Sequence, residues 1–377
     1  MPWRCWGLAA EDNRGRNVRK PSFAQARIPA YQRGMTFRSL IAAIALSCLL
    51  STPAAAAPLY HLVKTIKLPG AVKWDYLHFD APSHRLYISH GNEVTVVDTQ
   101  TDQVVGALAG LPGSHGIAVD PVTGDVYADS AAKRQAVAFN PHTFKPLASM
   151  KVVRDADGMA YDPAQKRIFV VGGDGQALTP IDPATNKALA DIALGGTPEF
   201  LVADGKGSLY VNINDKNEIA RIDTKSGKII ARWPTAPCRA PTGLAMDRAR
   251  RLLFSSCHSG VMAVMNADTG TLIAALPIGV GTDAAAYDPV RHRAFSSNAD
   301  GTLSVISDAG AKPSLLGTVK TRFGARTLAV NPATGVLYTV TAKVVSETPP
   351  AKPDGRPRFT FVPGSLELLA YAPATGG

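Results

Sequence analysis

Seven times between residues 79 and 340 the chain repeats one pattern: an Asp or Asn, a short polar turn, then a β-rich apolar run. The copies read FDAPSHRLYIS, VDPVTGDVYAD, YDPAQKRIFVV, ADGKGSLYVN, MDRARRLLFSS, YDPVRHRAFSS and VNPATGVLYTV. Their leading residues stand at 80, 120, 162, 204, 247, 288 and 331, spaced 40 to 43 apart. A period near 40 built of short strands is that of a four-stranded propeller blade. After each copy comes a second unit, such as VTVVDTQTDQVVG or IARIDTKSGKIIA, in which an apolar run leads into a polar turn, the chemistry of a hairpin. Four strands per repeat follow: A before the Asp, B after it, then C and D.

The last repeat ends at LELLAYAPATGG, before a strand D. At the other end YHLVKTIKL (60–68) reads as an unpaired strand with a D-like pattern. Giving it to the last repeat closes the ring and removes the open sheet edges. The expectation is therefore an all-β, seven-bladed β-propeller over residues 57–377, with four antiparallel strands per blade. The composition agrees, with 19% charged residues, 33 Gly and 28 Pro, which suits a turn-dense all-β chain.

Ahead of the propeller, MTFRSLIAAIALSCLLSTPAAAAP has the three-part build of a secretory signal: Arg38, an apolar run from Leu40 to Leu50, then Pro53 and small residues. That run is too short to span a bilayer. Residues 35–56 are read as the signal, cleaved after Ala56, which places the protein in the periplasm or outside the cell with no transmembrane helix in its mature part. Residues 1–34 are polar and Arg-rich and read either as an over-extended start or as a long n-region. Cys48 sits in a poor lipobox. Residues 1–57 carry eight Lys/Arg against two acids, so the formal net charge of +10 falls to about +4 for the rest, and a basic nucleic-acid footprint largely disappears.

In strand register, the position five residues before each leading Asp or Asn holds Asp75, His115, Asp157, Glu199, Thr242, Asp283 and Arg326. These should ring the mouth of the central channel. Trp74, Tyr76 and Phe200 stand beside them, and His90, Asp129, Asn212, Asn214, His258 and Asn298 come from or just follow the ends of strands B. Converging carboxylates repel one another unless protonated or neutralised by a cation. Asp75, Asp157, Glu199 and Asp283 are thus candidate oxygen ligands for Ca²⁺ or Mg²⁺. His115 is a candidate acid or base, and Arg326 a clamp for a substrate carboxylate. The alternative is that the acids bond nearby turn amides and Arg326 pairs with Asp283 or Asp75.

A 20-residue excess at 342–364, between strands B and C of the last blade, is rich in Pro and basic residues. It reads as a lid over the mouth, a site for an anionic partner, or a solvated loop. Cys238 precedes strand A of blade 5 and Cys257 ends strand B of the same blade, so a disulfide is expected in an oxidising compartment. His84, His142 and His292 fall in turns and read as solvated. No CxxC, HExxH, phosphate-binding Gly-rich loop or GxSxG occurs.

The repeats resemble the YVTN β-propeller repeat of the YncE-like family, YVNIN (210–214) being the nearest copy of its name motif. The resemblance spans about residues 60–377 and implies an exported bacterial seven-bladed propeller. It brings no catalytic signature, and it implies single-stranded DNA binding for one branch. Three functions follow. The first is a binding module holding a small polar ligand, a cation or a partner peptide at the mouth. The second is a metal-assisted lactonase, hydrolase or lyase using the same carboxylates. The third is single-stranded DNA binding, which an acidic mouth disfavours.

Overall fold

The Asp and Asn residues that mark the period build the turns between strands A and B. Asp162 accepts the amides of Ala164 and Gln165, Asp247 those of Ala249 and Arg250, and Asn331 those of Ala333 and Thr334. These local bonds fix each turn without help from the rest of the chain. The same device recurs between strands C and D, where Asp98 accepts from Gln100 and Thr101, and Asn266 from Asp268 and Thr269.

The computed structural model describes residues 59–349, 351 and 357–374. They form seven antiparallel blades arranged as a ring. Blade 1 runs Trp74–Asp80, Arg85–His90, Glu93–Asp98 and Gln103–Ala109. Blade 7 takes Leu328–Asn331, Val336–Thr341 and Glu367–Pro373 from the end of the chain, and Tyr60–Lys67 pairs antiparallel with Glu367–Pro373 to complete it. The first strand thus closes the ring as its pattern implies. Residues 1–58, which hold the expected signal and Cys48, lie outside the described residues.

Strands B and C are packed between neighbouring blades and are buried almost end to end, as in Leu252–Cys257, whereas several A strands are only partly buried, as in Trp74–Asp80. The D strands face water on one side and alternate, Lys228–Pro234 being the clearest case. Blade 3 departs from the pattern: its D position is split into Lys187–Ala188 and Ile192–Ala193. Opposite the break lies Pro180, whose carbonyl accepts from Leu189 but which has no N–H to return the bond.

The A strands line the channel and come very close to one another. A β-carbon on Gly116 would lie 2.1 Å from the Asp157 carbonyl oxygen, and one on Gly243 would lie 2.4 Å from the backbone of Ala284. Glycine at these positions sets the tightness of the inner ring.

The 342–364 insertion is more ordered than a solvated loop at its base. Val344–Thr348 and Arg358–Phe361 form a β-hairpin, while residues 350 and 352–356 lie outside the described residues. Phe361 packs on Trp74 at 4.8 Å between ring centroids, and Phe359 stands 6.3 Å from Phe323. Among the described residues no helix is long and apolar enough to cross a membrane.

Candidate functional site at the channel mouth

The ring positions share a backbone device. In blades 1, 3, 4, 5 and 6 the A–B register shifts across the ring residue, between Trp74 and Leu77, Ala156 and Met159, Pro198 and Leu201, Pro241 and Leu244, and Thr282 and Ala284. A bulge leaves a residue out of the ladder and re-aims its side chain. The residues within these shifts include Asp75, Asp157, Glu199, Thr242 and Asp283. In blades 2 and 7 strand A starts beyond the ring residue, at Ile117 and Leu328, so His115 and Arg326 precede the ladder altogether.

The side chains meet in two charge pairs. His115 Nδ1 lies 2.5 Å from Asp75 Oδ2 and 3.8 Å from Asp157 Oδ1. Arg326 donates from Nε to Asp283 Oδ2 at 2.7 Å and from Nη2 to the Trp74 carbonyl at 2.7 Å, with its guanidinium 5.3 Å from the Trp74 ring centroid. Arg326 is thus held by blades 6 and 1. Of the two sequence readings, pairing with Asp283 is the one the geometry displays, and the guanidinium is engaged rather than open as a clamp.

Electrostatics show how near the acids are. Burial, followed by the charges of Asp75 and Glu199, raises the Asp157 carboxyl well above the ordinary range, although His115 pulls the other way. Burial alone would lower His115. The hydrogen bond and charge of Asp75, followed by the charges of Asp157 and Asp129, instead push it up to about 10. The Tyr76 phenol is raised by burial and then by Asp157, Asp283, Asp75 and Glu199, so all four carboxylates act on one hydroxyl. Asp129 lies behind His115. Fully buried, it accepts the backbone amides of His115 at 2.7 Å and Gly116 at 2.9 Å and fixes the loop that presents the imidazole.

Tyr76 and Phe200 follow ring positions in blades 1 and 4, which are not neighbours. Their rings nevertheless meet at 4.8 Å between centroids, tilted 57° to one another, and so bridge the channel. Gly116, Gly158 and Gly243 hold the corresponding places in blades 2, 3 and 5, leaving room for these two aromatics.

Other residues expected near the mouth are spent on the scaffold. Trp74 is buried under Phe361 and Arg326. His90 is fully buried, with Nε2 2.6 Å from Thr95 Oγ1. Asn212 donates to the carbonyls of Thr242 and Gly243 and so ties blade 4 to blade 5. Asn214 does the same through Pro241. Asn298 is buried among Thr302, Ser304 and Ser296. These ends of strand B lie beside the starts of strand A, but their side chains turn into the blades, where a buried amide must find partners. Thr242, the ring's neutral member, bonds the carbonyls of Ser256 and Thr282.

The possible cation donors divide accordingly. Asp75, His115 and Asp157 each offer an atom within 4.8 Å of the others. An all-oxygen cage of Asp75, Asp157, Glu199 and Asp283 would first have to release Asp75 from His115 and Asp283 from Arg326. Cys238 and Cys257 are disulfide-bonded across 5.6 Å between Cα atoms, joining the approach to strand A of blade 5 to the end of its strand B.

No family model matches the chain, and no curated protein matches it. Among solved structures, hydrazine synthase of Kuenenia stuttgartiensis superposes with a TM-score of 0.61 at 16% identity, over 74% of this chain and 94% of that one. The likeness is one of fold. A propeller scaffold hosts many activities, so function must be argued from the mouth itself.

Proposed function

We propose that this propeller is a binding module whose channel mouth takes a small polar ligand through a cationic group. One observation carries the reading: Asp75 and Asp157, from blades 1 and 3, converge on the single imidazole of His115 at 2.5 and 3.8 Å, and with Glu199 and Asp283 they act on the same Tyr76 hydroxyl. Two protein cations, His115 and Arg326, offset part of that charge. The remaining excess of negative charge is what a cationic ligand would relieve. Tyr76 and Phe200 bridge the channel, so the mouth has an aromatic floor suited to the apolar part of an organic amine, and an ammonium over such rings gains further.

A metal-assisted reaction at the same place is the second reading. It is favoured by the Asp75–His115–Asp157 triplet, whose mixed oxygen and nitrogen donors lie close enough for one ion. Against it, the imidazole is held protonated by Asp75, and a metal would have to displace that proton. The acidic mouth argues against single-stranded DNA. The disulfide and the repeat resemblance support an exported YncE-like protein, in keeping with the expected signal at 35–56.

The test is a thermal-shift and calorimetric screen of purified protein with Ca²⁺, Mg²⁺ and small organic mono- and diamines. At least one should bind wild type and lose affinity on Asp157→Asn. Screening that finds no cationic ligand, or binding indifferent to Asp157, would retire the reading.

A further inference from the structure

On the face formed by the A–B turns, at the junction of blades 5 and 6, three side chains outside the mouth come together: Asp247, His292 and Asp308. Each offers one donor atom within 4.8 Å of the others. Asp247 is 2% exposed and Asp308 is fully buried. Asp247 Oδ2 and Asp308 Oδ1 are buried without a hydrogen-bond partner. His292 Nδ1 stands 3.9 Å from that same Asp308 Oδ1.

The repeats supply an internal control. In the equivalent turns the second carboxylate oxygen has a donor: Thr123 for Asp120, Arg251 for Asp204 and Arg291 for Asp288. Asp247 spends Oδ1 on Ala249 and Arg250 and leaves Oδ2 with none. The facing partner is also unusual. At two other junctions a tyrosine of strand B donates to the C–D turn of the next blade, Tyr127 to Asn186 Oδ1 at 2.6 Å and Tyr210 to the Ala267 carbonyl at 2.8 Å. Blade 5 has Phe254 there, with no hydroxyl, and blade 6 has the carboxylate of Asp308 where the others carry Pro183 or Ala267. The tyrosine contact is thus replaced by a second buried acid, Asp308, beside the turn acid Asp247.

We infer that Asp247 Oδ2, Asp308 Oδ1 and His292 Nδ1 form a binding site for a zinc-like divalent cation that staples blade 5 to blade 6. Two carboxylates and an imidazole are a borderline-soft donor set, which suits Zn²⁺ better than Ca²⁺ or Mg²⁺. Ligands bonded at about 2.0–2.2 Å lie at most about 4.4 Å apart, so the 3.9 Å separation of His292 and Asp308 already falls within reach of one ion. The nearby positive charge stands at the other oxygen of Asp308. Arg250 donates to the Gly310 carbonyl and lies 4.0 Å from Asp308 Oδ2, the oxygen that also accepts from Tyr287, and so leaves Oδ1 to the ion. His292 is half exposed and provides the route of entry.

The experiment is chelator treatment of the full chain followed by calorimetric titration with Zn²⁺ at pH 7.5 and metal analysis after dialysis. Wild type should hold one Zn²⁺ that His292→Ala and Asp308→Asn each weaken by at least about tenfold. Asp157→Asn, at the mouth, should leave this site intact, which separates it from the proposed ligand site. Zn²⁺ should also raise Tm by roughly 3–5 °C at hundredfold excess over Kd, and this rise should vanish in His292→Ala, whose exposed side chain makes the variant safe for folding. The inference is overturned if wild type takes up no Zn²⁺, or if the uptake survives both substitutions.

Discussion

Tyr76 and Phe200, from blades that are not neighbours, meet across the central channel at 4.8 Å between ring centroids, tilted 57° to one another. Glycines hold the equivalent places in blades 2, 3 and 5 and leave room for them. Phe200→Ala should leave a cavity there and cost about 3 kcal/mol, toward the lower end for a large-to-small change because Phe200 is only partly buried. Urea denaturation measures this directly. An unchanged midpoint would mean the aromatics do not support the inner ring.

Asp157 illustrates a conflict between stability and binding. Its carboxyl is raised by burial and by its acidic neighbours, so the ionised form strains the free protein. Asp157→Asn should therefore raise the urea midpoint of the ligand-free protein while weakening cation binding. Loss of stability in the variant would show that Asp157 serves the scaffold.

The His115–Asp75 pair has a defined pH signature. The imidazole pKa rises from 6.5 to about 10 on folding. The folded protein therefore keeps a proton that the unfolded chain has lost. The stabilisation is complete below pH 6.5 and is lost as pH climbs toward 10. The raised Asp157 carboxyl acts with the same sign over a window that begins at the ordinary carboxylate value. Urea midpoints measured at pH 6, 8 and 10 should fall steadily in wild type, and His115→Gln should flatten the decline above pH 6.5. Parallel curves for the two proteins would contradict the pairing.

The disulfide closes a separation of 19 residues within blade 5. Loop-closure entropy puts its worth at about 3 kcal/mol. Cys238→Ser/Cys257→Ser should lower the urea midpoint accordingly and leave ligand binding at the mouth unchanged, since neither sulfur belongs to the ring.

Much of the architecture was legible because each turn is locally encoded. The Asp or Asn at 80, 120, 162, 204, 247, 288 and 331 bonds its own turn, so blade number and ring closure follow from spacing. Register also placed Asp75, His115 and Asp157 together. Three things were not legible. The bulges that re-aim the ring residues depend on how tightly strands A crowd, which no single repeat reveals. Asn212, Asn298 and His90 share the height of the mouth, but their side chains turn into the blades because buried polar groups need partners. The Asp247–His292–Asp308 cluster joins a turn of one blade to a turn of the next. The substitutions of Phe254 and Asp308 against their repeats were the visible signal, and His292 read alone as a solvated turn residue concealed it.

Calorimetric titration of wild type, Asp157→Asn and Glu199→Gln with the cation or amine that gives the largest thermal shift tests the central claim most directly. One site per chain should appear in wild type and weaken at least about tenfold in each variant, since hydrogen bonds to charged groups are worth about 1.5–3 kcal/mol. Equal affinity in all three proteins would contradict a ligand site built from side chains that converge on the ring axis.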